Sequence, residues 1–220
     1  MAMRLDERAR AASPSCCRAA RAIFISSRSG PHDARPRPLL PSSPMAFSQN
    51  EYVRALHFAA RAHGEQKTPL GLPYVSHVAS VAMEVIVALY AEPGHDGDLA
   101  VMSALLHDVV EDTSTTLDEI EKAFGPRVAA GVSALSKNPS LDKRAAMKDS
   151  LARILQQPPE IAIVKLGDRI TNLTPPPPHW SSAKIAAYGE EGQLILDTLG
   201  AASPFLAARL AERVRNYPRG

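Results

Sequence analysis

Residues 104–112 of the chain read Ala-Leu-Leu-His-Asp-Val-Val-Glu-Asp. On an α-helix, residues four apart share a face, so His107 lies one turn before Glu111 and Asp108 one turn before Asp112. The apolar residues around them indicate that the segment is buried. A buried imidazole and a buried carboxylate need a partner, and a metal ion would supply one. This stretch therefore predicts a helical core that carries a polar site.

The flanking sequence has the same helical periodicity. Ser48 with Glu51, and Thr116 with Glu119, have the spacing of capping boxes at helix starts. No alternating run is long enough for a strand, and Pro175–Pro178 predict a short extended connection. Residues 45–220 are thus predicted to form a single all-α domain, a helical bundle without a sheet. The expected helices cover about 48–63, 74–90, 98–112, 116–125, 126–135, 142–156, 160–173, 183–199 and 204–216.

The first 44 residues differ from the rest in composition. They contain eight Arg, three acidic residues and few large apolar side chains, so we expect a disordered basic leader. One interpretation is sequence upstream of the real start at Met45, and another is an organelle-type leader. Both cysteines, Cys16 and Cys17, fall in this segment. The body therefore excludes disulfides, thiolate catalysis and cysteine-ligated zinc.

The charge of the body limits its partners. Residues 45–220 contain 17 basic and 20 acidic side chains, a balance that argues against broad attachment to nucleic acid or anionic lipid. No apolar stretch approaches the roughly 20 residues that span a bilayer, and no secretory signal is evident. We expect a cytoplasmic protein with no nucleic-acid partner, no membrane partner and no evident obligate protein partner.

Two further segments place candidate ligands on apolar helices. Residues 161–172 are strongly apolar yet contain Asp168, with Asn172 one turn later, and His77 opens the helix after Pro73. Taken alone, His107 and Asp108 are explained by a hydrogen-bonded core histidine beside a solvated helix end. Three apolar helices that each carry an inward-compatible ligand favour a metal site instead. Two imidazoles with two carboxylates suit Mn, Fe or Zn.

In order and in flanking sequence, these residues resemble the HD-domain metal-dependent phosphohydrolases. The match is closest to the (p)ppGpp hydrolases of the RelA/SpoT type and their small stand-alone alarmone hydrolase relatives. The motifs that carry it are His63, residues 71–77, residues 104–113, Phe124-Gly125 and residues 165–173. The resemblance implies that one Mn²⁺ is bound, with Fe or Zn as alternatives, by His77, His107, Asp108 and Asp168.

The resemblance also implies roles for other side chains. Glu111 and Asp112 resemble the family's catalytic acidic pair, which would orient or deprotonate the attacking water. Asn172 matches a substrate-contacting asparagine. Apart from the resemblance, the position of Arg169 beside Asp168 predicts either a phosphate contact or a salt bridge with a neighbouring helix.

Two departures from the family pattern stand out. Between Gln66 and Gly71 the family usually has two or three consecutive basic residues that grip the nucleotide, and here only Lys67 is basic. By position, Thr68 replaces the base-stacking arginine, so Lys67 is the candidate substrate contact that remains in this loop. Gly167 stands where alanine is usual, at a cost of roughly 1 kcal/mol of helix propensity.

The function that the resemblance implies is guanosine-3′,5′-bis(diphosphate) 3′-pyrophosphohydrolase activity, the removal of an alarmone of the stringent response. An HD phosphatase acting on another nucleotide or on a dinucleotide cofactor is an alternative, and the reduced basic run favours it. A non-enzymatic nucleotide sensor is a further alternative. It is disfavoured because a domain used only for binding does not need Glu111 and Asp112.

Overall fold

A computed structural model describes residues 47–219, which fold into helices joined by loops. No strand occurs in this range, where the extended pairing is an isolated bridge between Lys67 and Pro73. The predicted all-α class is confirmed, whereas the expectations for residues 1–44 and for the boundary at residue 45 lie outside the described residues. The helices are α1 Gln49–His63, α2 Val75–Ala91, α3 Gly97–Leu106, α4 Val109–Asp112, α5 Leu117–Phe124, α6 Pro126–Leu135, α7 Lys143–Ile154, α8 Pro159–Asn172, α9 Ser182–Leu199 and α10 Pro204–Asn216, with a 3₁₀ turn at Gly200–Ala202.

The helix starts agree with the sequence except in one detail. Thr116 and Glu119 form the predicted capping box at α5. At α1, Ser48 caps the N–H of Glu51, but the Glu51 carboxylate accepts from Arg54 instead of from the Ser48 N–H. That N–H donates to Asp98 Oδ1 at 2.6 Å. The prediction of a complete capping box at α1 was wrong, because the Ser48 N–H bonds to the distant Asp98 carboxylate and not to that of Glu51.

The centre of the core is α8. Every residue from Glu160 to Ile170 is buried, and α3 is buried along almost its whole length. A helix that is apolar on all sides belongs in a core, so polar side chains on α8 or at the end of α3 lie inside the protein. Among the described residues, no helix has the length and apolar character needed to cross a membrane.

The helix that carries the His107-Asp108 pair is interrupted. α3 ends at Leu106 and α4 begins at Val109, so the prediction of one continuous helix through residues 104–112 was wrong. His107 Nδ1 bonds to the Ala104 carbonyl, which in a continuous helix would accept from the N–H of Asp108. Asp108 has φ −101° and ψ −6°, in the right-handed helical region but well away from the values of a regular helix. The N–H of Asp112 still donates to Asp108 O at 2.9 Å, which keeps these two residues one turn apart.

Candidate metal centre

Four predicted ligands from three parts of the fold meet at one point. His77 lies in the first turn of α2, His107 and Asp108 at the α3–α4 junction, and Asp168 in α8. His107 Nε2 is 3.0 Å from Asp108 Oδ2 and 3.7 Å from Asp168 Oδ1. His77 Nε2 is 3.5 Å and 3.6 Å from the same two oxygens. One ligand atom each from His77, His107 and Asp168 lies within 4.8 Å of the others, so these three could hold one cation. Asp108 is outside that set, although its Oδ2 is near both imidazoles.

The donors fit a divalent cation of borderline softness. His107 is buried and its Nδ1 lies 2.7 Å from Ala104 O, an arrangement that turns Nε2 toward the carboxylates. Nε2 is buried without a well-aligned hydrogen-bond partner. A backbone carbonyl on the second ring nitrogen is the usual support of a metal-binding histidine. Asp108 Oδ2 lies 3.0 Å from this Nε2 but is poorly aligned with it. The mixed imidazole–carboxylate set therefore suits Mn, Fe or Zn better than an all-oxygen ion.

The four groups alter one another's proton affinity. Burial by itself lowers the pKa of His107, but the charges of Asp108 and Asp168 outweigh it and raise that pKa to about 10. The pKa of His77 is raised in the same way, against burial, by hydrogen bonds to both carboxylates. Burial favours protonated Asp108 and Asp168, yet the neighbouring cationic groups hold both pKa values well below their usual range. Without a cation, the site is a cluster of imidazolium–carboxylate pairs.

Side chains of α8 hold the Asp168 carboxylate in position. The buried Lys165 ammonium donates to Oδ2 at 2.9 Å, and the Asn172 amide donates to Oδ1. Because Lys165 is on Oδ2, the oxygen that faces the two imidazoles is Oδ1. Asn172, predicted as a substrate contact, is thus bonded to Asp168. Lys165, one turn before Asp168, was missed at the sequence level, although a lysine in so apolar a helix indicated a buried partner.

Tyr74 supports Asp108 from the loop before α2. Its hydroxyl donates to Asp108 Oδ2 at 2.6 Å. Its ring lies 4.5 Å from the His63 ring and 5.3 Å from the His77 ring, measured between centroids. Burial and the adjacent Asp108 charge raise the pKa of Tyr74, so the hydroxyl remains a donor. Tyr74 was quoted with its motif but not predicted as part of the site.

The acidic pair at the end of α4 has two separate supports. Glu111 accepts from the backbone N–H of Lys137 at 2.9 Å and from its ammonium at 2.8 Å. Burial lowers the pKa of Lys137, but the hydrogen bond and charge of Glu111 raise it overall. Asp112 accepts from the Gln66 amide at 3.0 Å, and the Gln66 carbonyl oxygen lies 2.9 Å from Nδ1 of His63. His63 and Gln66 therefore link α1 to the acidic pair.

The remaining two predicted substrate contacts, Lys67 and Arg169, contact other parts of the protein. Lys67 pairs through its backbone with Pro73 and is not among the described residues that line the adjoining cavity. Arg169 is buried, 3.3 Å from Glu191 on α9, with its guanidinium 4.5 Å from the centroid of the Tyr188 ring. Of the two roles expected for Arg169, the structure contains the salt bridge to a neighbouring helix.

A cavity of about 520 Å³ adjoins the centre. His77 and Asn172 are among its lining residues, so the cavity reaches one side of the centre. Its other walls come from the loop before α2, the proline-rich connection after α8, and α9. The lining residues are Thr68, Pro69, Leu70, Leu72, Tyr74, Ser76, His77, Ser80, Lys143, Thr171, Asn172, Thr174, Pro175, Pro176, Pro177, Trp180, Lys184, Tyr188 and Tyr217.

The family model described as the HD domain matches residues 55–203, the part of the chain that contains every ligand. The chain belongs to the HD domain family. Membership of this family, together with the cluster of His77, His107 and Asp168, indicates that the protein binds a divalent metal ion.

Several HD domain proteins are similar to this one. The guanosine-3′,5′-bis(diphosphate) 3′-pyrophosphohydrolase MESH1 of Homo sapiens is 35% identical over 152 residues, which cover 66% of this chain and 83% of that relative. The pyrophosphohydrolase of the same description from Aquifex aeolicus is 36% identical over 126 residues, but these cover only 17% of its length. A solved structure of a metazoan ortholog of SpoT that hydrolyzes ppGpp has a TM-score of 0.66 at 28% identity, covering 79% of this chain and 98% of that chain.

Proposed function

We propose that the protein is a metal-dependent phosphohydrolase that removes the 3′ pyrophosphate from guanosine-3′,5′-bis(diphosphate). The observation that carries the proposal is the convergence of two imidazoles and two carboxylates beside the acidic pair of α4. Relatives with this activity in their names support it, and the chain spans most of the length of human MESH1. The substrate class is the finer part of the proposal.

His77, His107, Asp108 and Asp168 would hold the cation. We propose Mn²⁺, with Fe or Zn as alternatives that the same donors accept. When bound, such a cation supplies Lewis-acid activation of water and of a phosphoryl oxygen. The protein contributes the fixed direction of each ligand: Ala104 O orients His107, Tyr74 orients Asp108, and Lys165 orients Asp168.

Glu111 and Asp112 would orient the attacking water and accept its proton. Each carboxylate is held by a hydrogen bond from outside α4, which reduces the number of orientations it can take before it acts as a base. The Lys137 ammonium bonds to Glu111 and also interacts electrostatically with Asp168 and Asp108. We propose that it offsets the charge of the pyrophosphate.

Three side chains were predicted to contact the substrate. Asn172 lines the cavity, and we propose that its amide positions the substrate beside Asp168. For Lys67, a phosphate contact at the edge of the loop remains a prediction. Arg169 would act through Tyr188, whose ring it supports at the wall of the cavity. We also propose a cytoplasmic location and a small nucleotide as the only required partner.

The proposal is tested with the full-length chain. We expect the purified protein to bind about one divalent cation and to release pyrophosphate from guanosine-3′,5′-bis(diphosphate) when Mn²⁺ is added. His107→Ala and Asp108→Ala should lose the metal and at least about 100-fold of the activity. Matched controls are His57→Ala and Asp118→Ala, which alter exposed residues of α1 and α5 and should keep both.

Two outcomes contradict the proposal in different ways. If Asp108→Ala retains full metal content and full turnover, the ligand assignment is wrong. If the wild-type protein is active only on other nucleotides of a panel, the site stands and the substrate class is wrong.

A further inference from the structure

The loop between Gln66 and Tyr74 presents apolar side chains to the cavity. Thr68 uses all of its polar groups within the loop: its N–H donates to Leu72 O at 2.8 Å, its carbonyl accepts from Gly71 at 2.8 Å, and its hydroxyl accepts from Leu72 at 3.3 Å. Gly71 closes the turn with φ +79°. Leu70 and Leu72 line the cavity with 68% and 53% of their surface exposed. The part of the loop that lines the cavity, Thr68 to Leu72, therefore offers a ligand apolar contact and no cation, and Lys67 lies outside that lining.

The cations of the cavity lie on other walls. Its lining contains two lysines, Lys143 and Lys184, and no aspartate or glutamate among the described residues. The Lys143 ammonium is 3.0 Å from Glu191 on α9, but it shares this carboxylate with Arg169, so its charge is only partly balanced. The exposed Lys184 ammonium lies 3.9 Å from the centroid of the Trp180 ring, and no carboxylate of residues 47–219 is within ion-pair distance of it. Of the two lysines that line the cavity, Lys184 is thus the one without a carboxylate partner in the described part of the chain.

Trp180, whose ring the Lys184 ammonium contacts, is held in place by its neighbours. The backbone N–H of Trp180 donates to the Pro177 carbonyl at 3.0 Å, and this bond closes the end of the proline-rich connection. The Trp180 ring meets the Tyr188 ring edge-on, with centroids 5.2 Å apart. Tyr188 in turn packs on the buried Arg169. This stack joins the wall of the cavity to α8, the helix that carries Asp168.

We propose, on the basis of the proposed function, that Trp180 and Lys184 anchor the nucleoside 5′-phosphate part of the substrate and so replace the basic run that the loop lacks. The Lys184 ammonium contacts the 5′ phosphates, and the base lies against the apolar surface of Leu70, Leu72 and Trp180. A phosphate beside an ammonium forms a strong charge-assisted hydrogen bond. Base–aromatic contact is tolerant of base identity because every base has a π-face.

We expect the cavity wall of Leu70, Leu72 and Trp180 to discriminate only weakly between adenine and guanine. The 2-amino group that distinguishes guanine is a hydrogen-bond donor, and a selective site places an acceptor against it. No carboxylate lines the cavity in the described part of the chain, so the side-chain acceptors left for that group are neutral ones, such as those of Asn172 and Ser76. Strong rejection of an analogue requires a site group that the analogue leaves unpaired. Adenine and guanine nucleotides should therefore bind with similar affinity.

The chain has a single tryptophan, so Trp180 fluorescence reports directly on this wall. We would titrate nucleotides into the full-length Asp112→Asn protein with Mn²⁺, so that binding is measured without turnover. Guanosine-3′,5′-bis(diphosphate) should change the fluorescence saturably, and guanosine 3′-diphosphate with a free 5′ hydroxyl should bind about tenfold more weakly. Lys184→Gln in the same background should weaken the first ligand about tenfold and leave the second unchanged. Lys122→Gln, on the exposed face of α5, is the matched control and should change neither.

The outcomes separate this inference from the proposed function. If Lys184→Gln binds the bis(diphosphate) as tightly as its parent, or if calorimetry detects binding that leaves Trp180 fluorescence unchanged, the anchor is wrong, whatever the wild-type turnover. An adenosine bis(diphosphate) that binds more than about 30-fold more weakly overturns the base tolerance. If wild-type protein binds as expected but does not hydrolyse the ligand, the anchor stands and the proposed function fails.

Discussion

The hydroxyl of Tyr74 donates a 2.6 Å hydrogen bond to Oδ2 of Asp108. Tyr74 lies three residues before His77, so one short segment contains a proposed metal ligand and also holds Asp108, a second proposed ligand that is distant in sequence. Its ring packs between the rings of His63 and His77. The loop before α2 and the α3–α4 junction are therefore a single structural unit, and changes in the loop should be measurable at the metal.

Replacing Tyr74 with Phe keeps the ring packing and removes only the hydrogen bond to Asp108. Loss of an outer partner of a metal ligand typically costs about tenfold or more in metal affinity, and we expect an effect of that size here. Calorimetric titration with Mn²⁺ would measure it. Tyr52→Phe in α1 is the matched control. Equal Mn²⁺ affinity in Tyr74→Phe and wild type would show that the bond does not orient Asp108.

Gln66 should affect turnover and not metal binding. Its amide donates to Asp112 at 3.0 Å, so Gln66→Ala frees the carboxylate from its fixed direction. We expect kcat to fall about tenfold while Mn²⁺ affinity stays within about twofold, because general acid–base catalysis depends on orientation. Steady-state kinetics and metal titration separate the two effects. Gln193→Ala removes a comparable amide–carboxylate bond on exposed α9 and should be silent; a fall in metal affinity for Gln66→Ala would refute the assignment.

The sequence predicted the fold class and the helices because apolar periodicity and helix caps are local signals. Pro126 opens α6, Thr116 and Glu119 cap α5, and Ser203 caps α10, all within a few residues of where the pattern placed them. The four candidate ligands were proposed because each is a polar residue in or beside an apolar helix, and the structure brings them close together. A buried polar group needs a partner, and this requirement can be recognised from the sequence alone.

What the sequence did not predict depends on contacts between distant segments. Asp98 takes the Ser48 N–H, and Lys137 takes the Glu111 carboxylate, across 50 and 26 residues respectively. The break at His107 arises because an imidazole nitrogen bonds to Ala104 O, and a rotamer choice of this kind leaves no trace in periodicity. The sequence predicted for Arg169 either a phosphate contact or a salt bridge with a neighbouring helix, and it could not distinguish the two. In the structure, Arg169 lies beside Glu191 on α9.

Binding of a cation should release protons. The neighbouring carboxylates raise the pKa of His107 to about 10 and raise that of His77 above its ordinary value, both despite burial, so His107 at least is protonated near neutral pH in the metal-free protein. A metal binds neutral imidazole, so at least about one proton should leave for each cation, and Mn²⁺ affinity should rise with pH. Calorimetry in two buffers of different ionisation enthalpy measures this number. Identical heats in both buffers would contradict it.

Asp96 should stabilise α3 in a pH-dependent way. Its carboxylate caps the Leu99 N–H at 3.0 Å and lies beside Arg127. The bond from Leu99 and the Arg127 charge lower the pKa of Asp96 in the folded state. Asp96→Ala should cost about 1 kcal/mol at pH 7.

Because the pKa of Asp96 is lower in the folded than in the unfolded protein, its ionised carboxylate stabilises the fold at pH values above the unfolded-state pKa, which is about 4. This stabilisation is lost as the pH falls through the folded-state pKa. The difference between Asp96→Ala and wild type in urea denaturation should therefore shrink below about pH 4. Asp118→Ala, which removes an acid from the first turn of α5 without removing a cap, should cost only a few tenths of a kcal/mol. A difference that is constant from pH 7 to pH 3 would exclude the ionised cap.

Two buried helical glycines should respond in opposite directions to alanine. A Cβ on Gly167 would meet α2 at ordinary contact distance, with Val81 O, Glu84 Cβ and Val85 Cγ2 each at 3.5 Å. Gly167→Ala should therefore gain the helix propensity that glycine forfeits, about 1 kcal/mol, and leave Mn²⁺ affinity unchanged although Asp168 is adjacent. A Cβ on Gly131 would lie 2.5 Å from Ile161 Cδ1 in the core between α6 and α8.

Overpacking of that kind costs about 1–3 kcal/mol, which offsets or exceeds the gain in propensity, so Gly131→Ala should be neutral to destabilising by about 2 kcal/mol. Urea denaturation of the two variants beside wild type measures the contrast directly. Because both changes are the same in chemistry and both lie within helices, the difference between them isolates the packing at α8. If Gly167→Ala proves the less stable of the two, then α2 and α8 approach more closely than the 3.5 Å contacts allow.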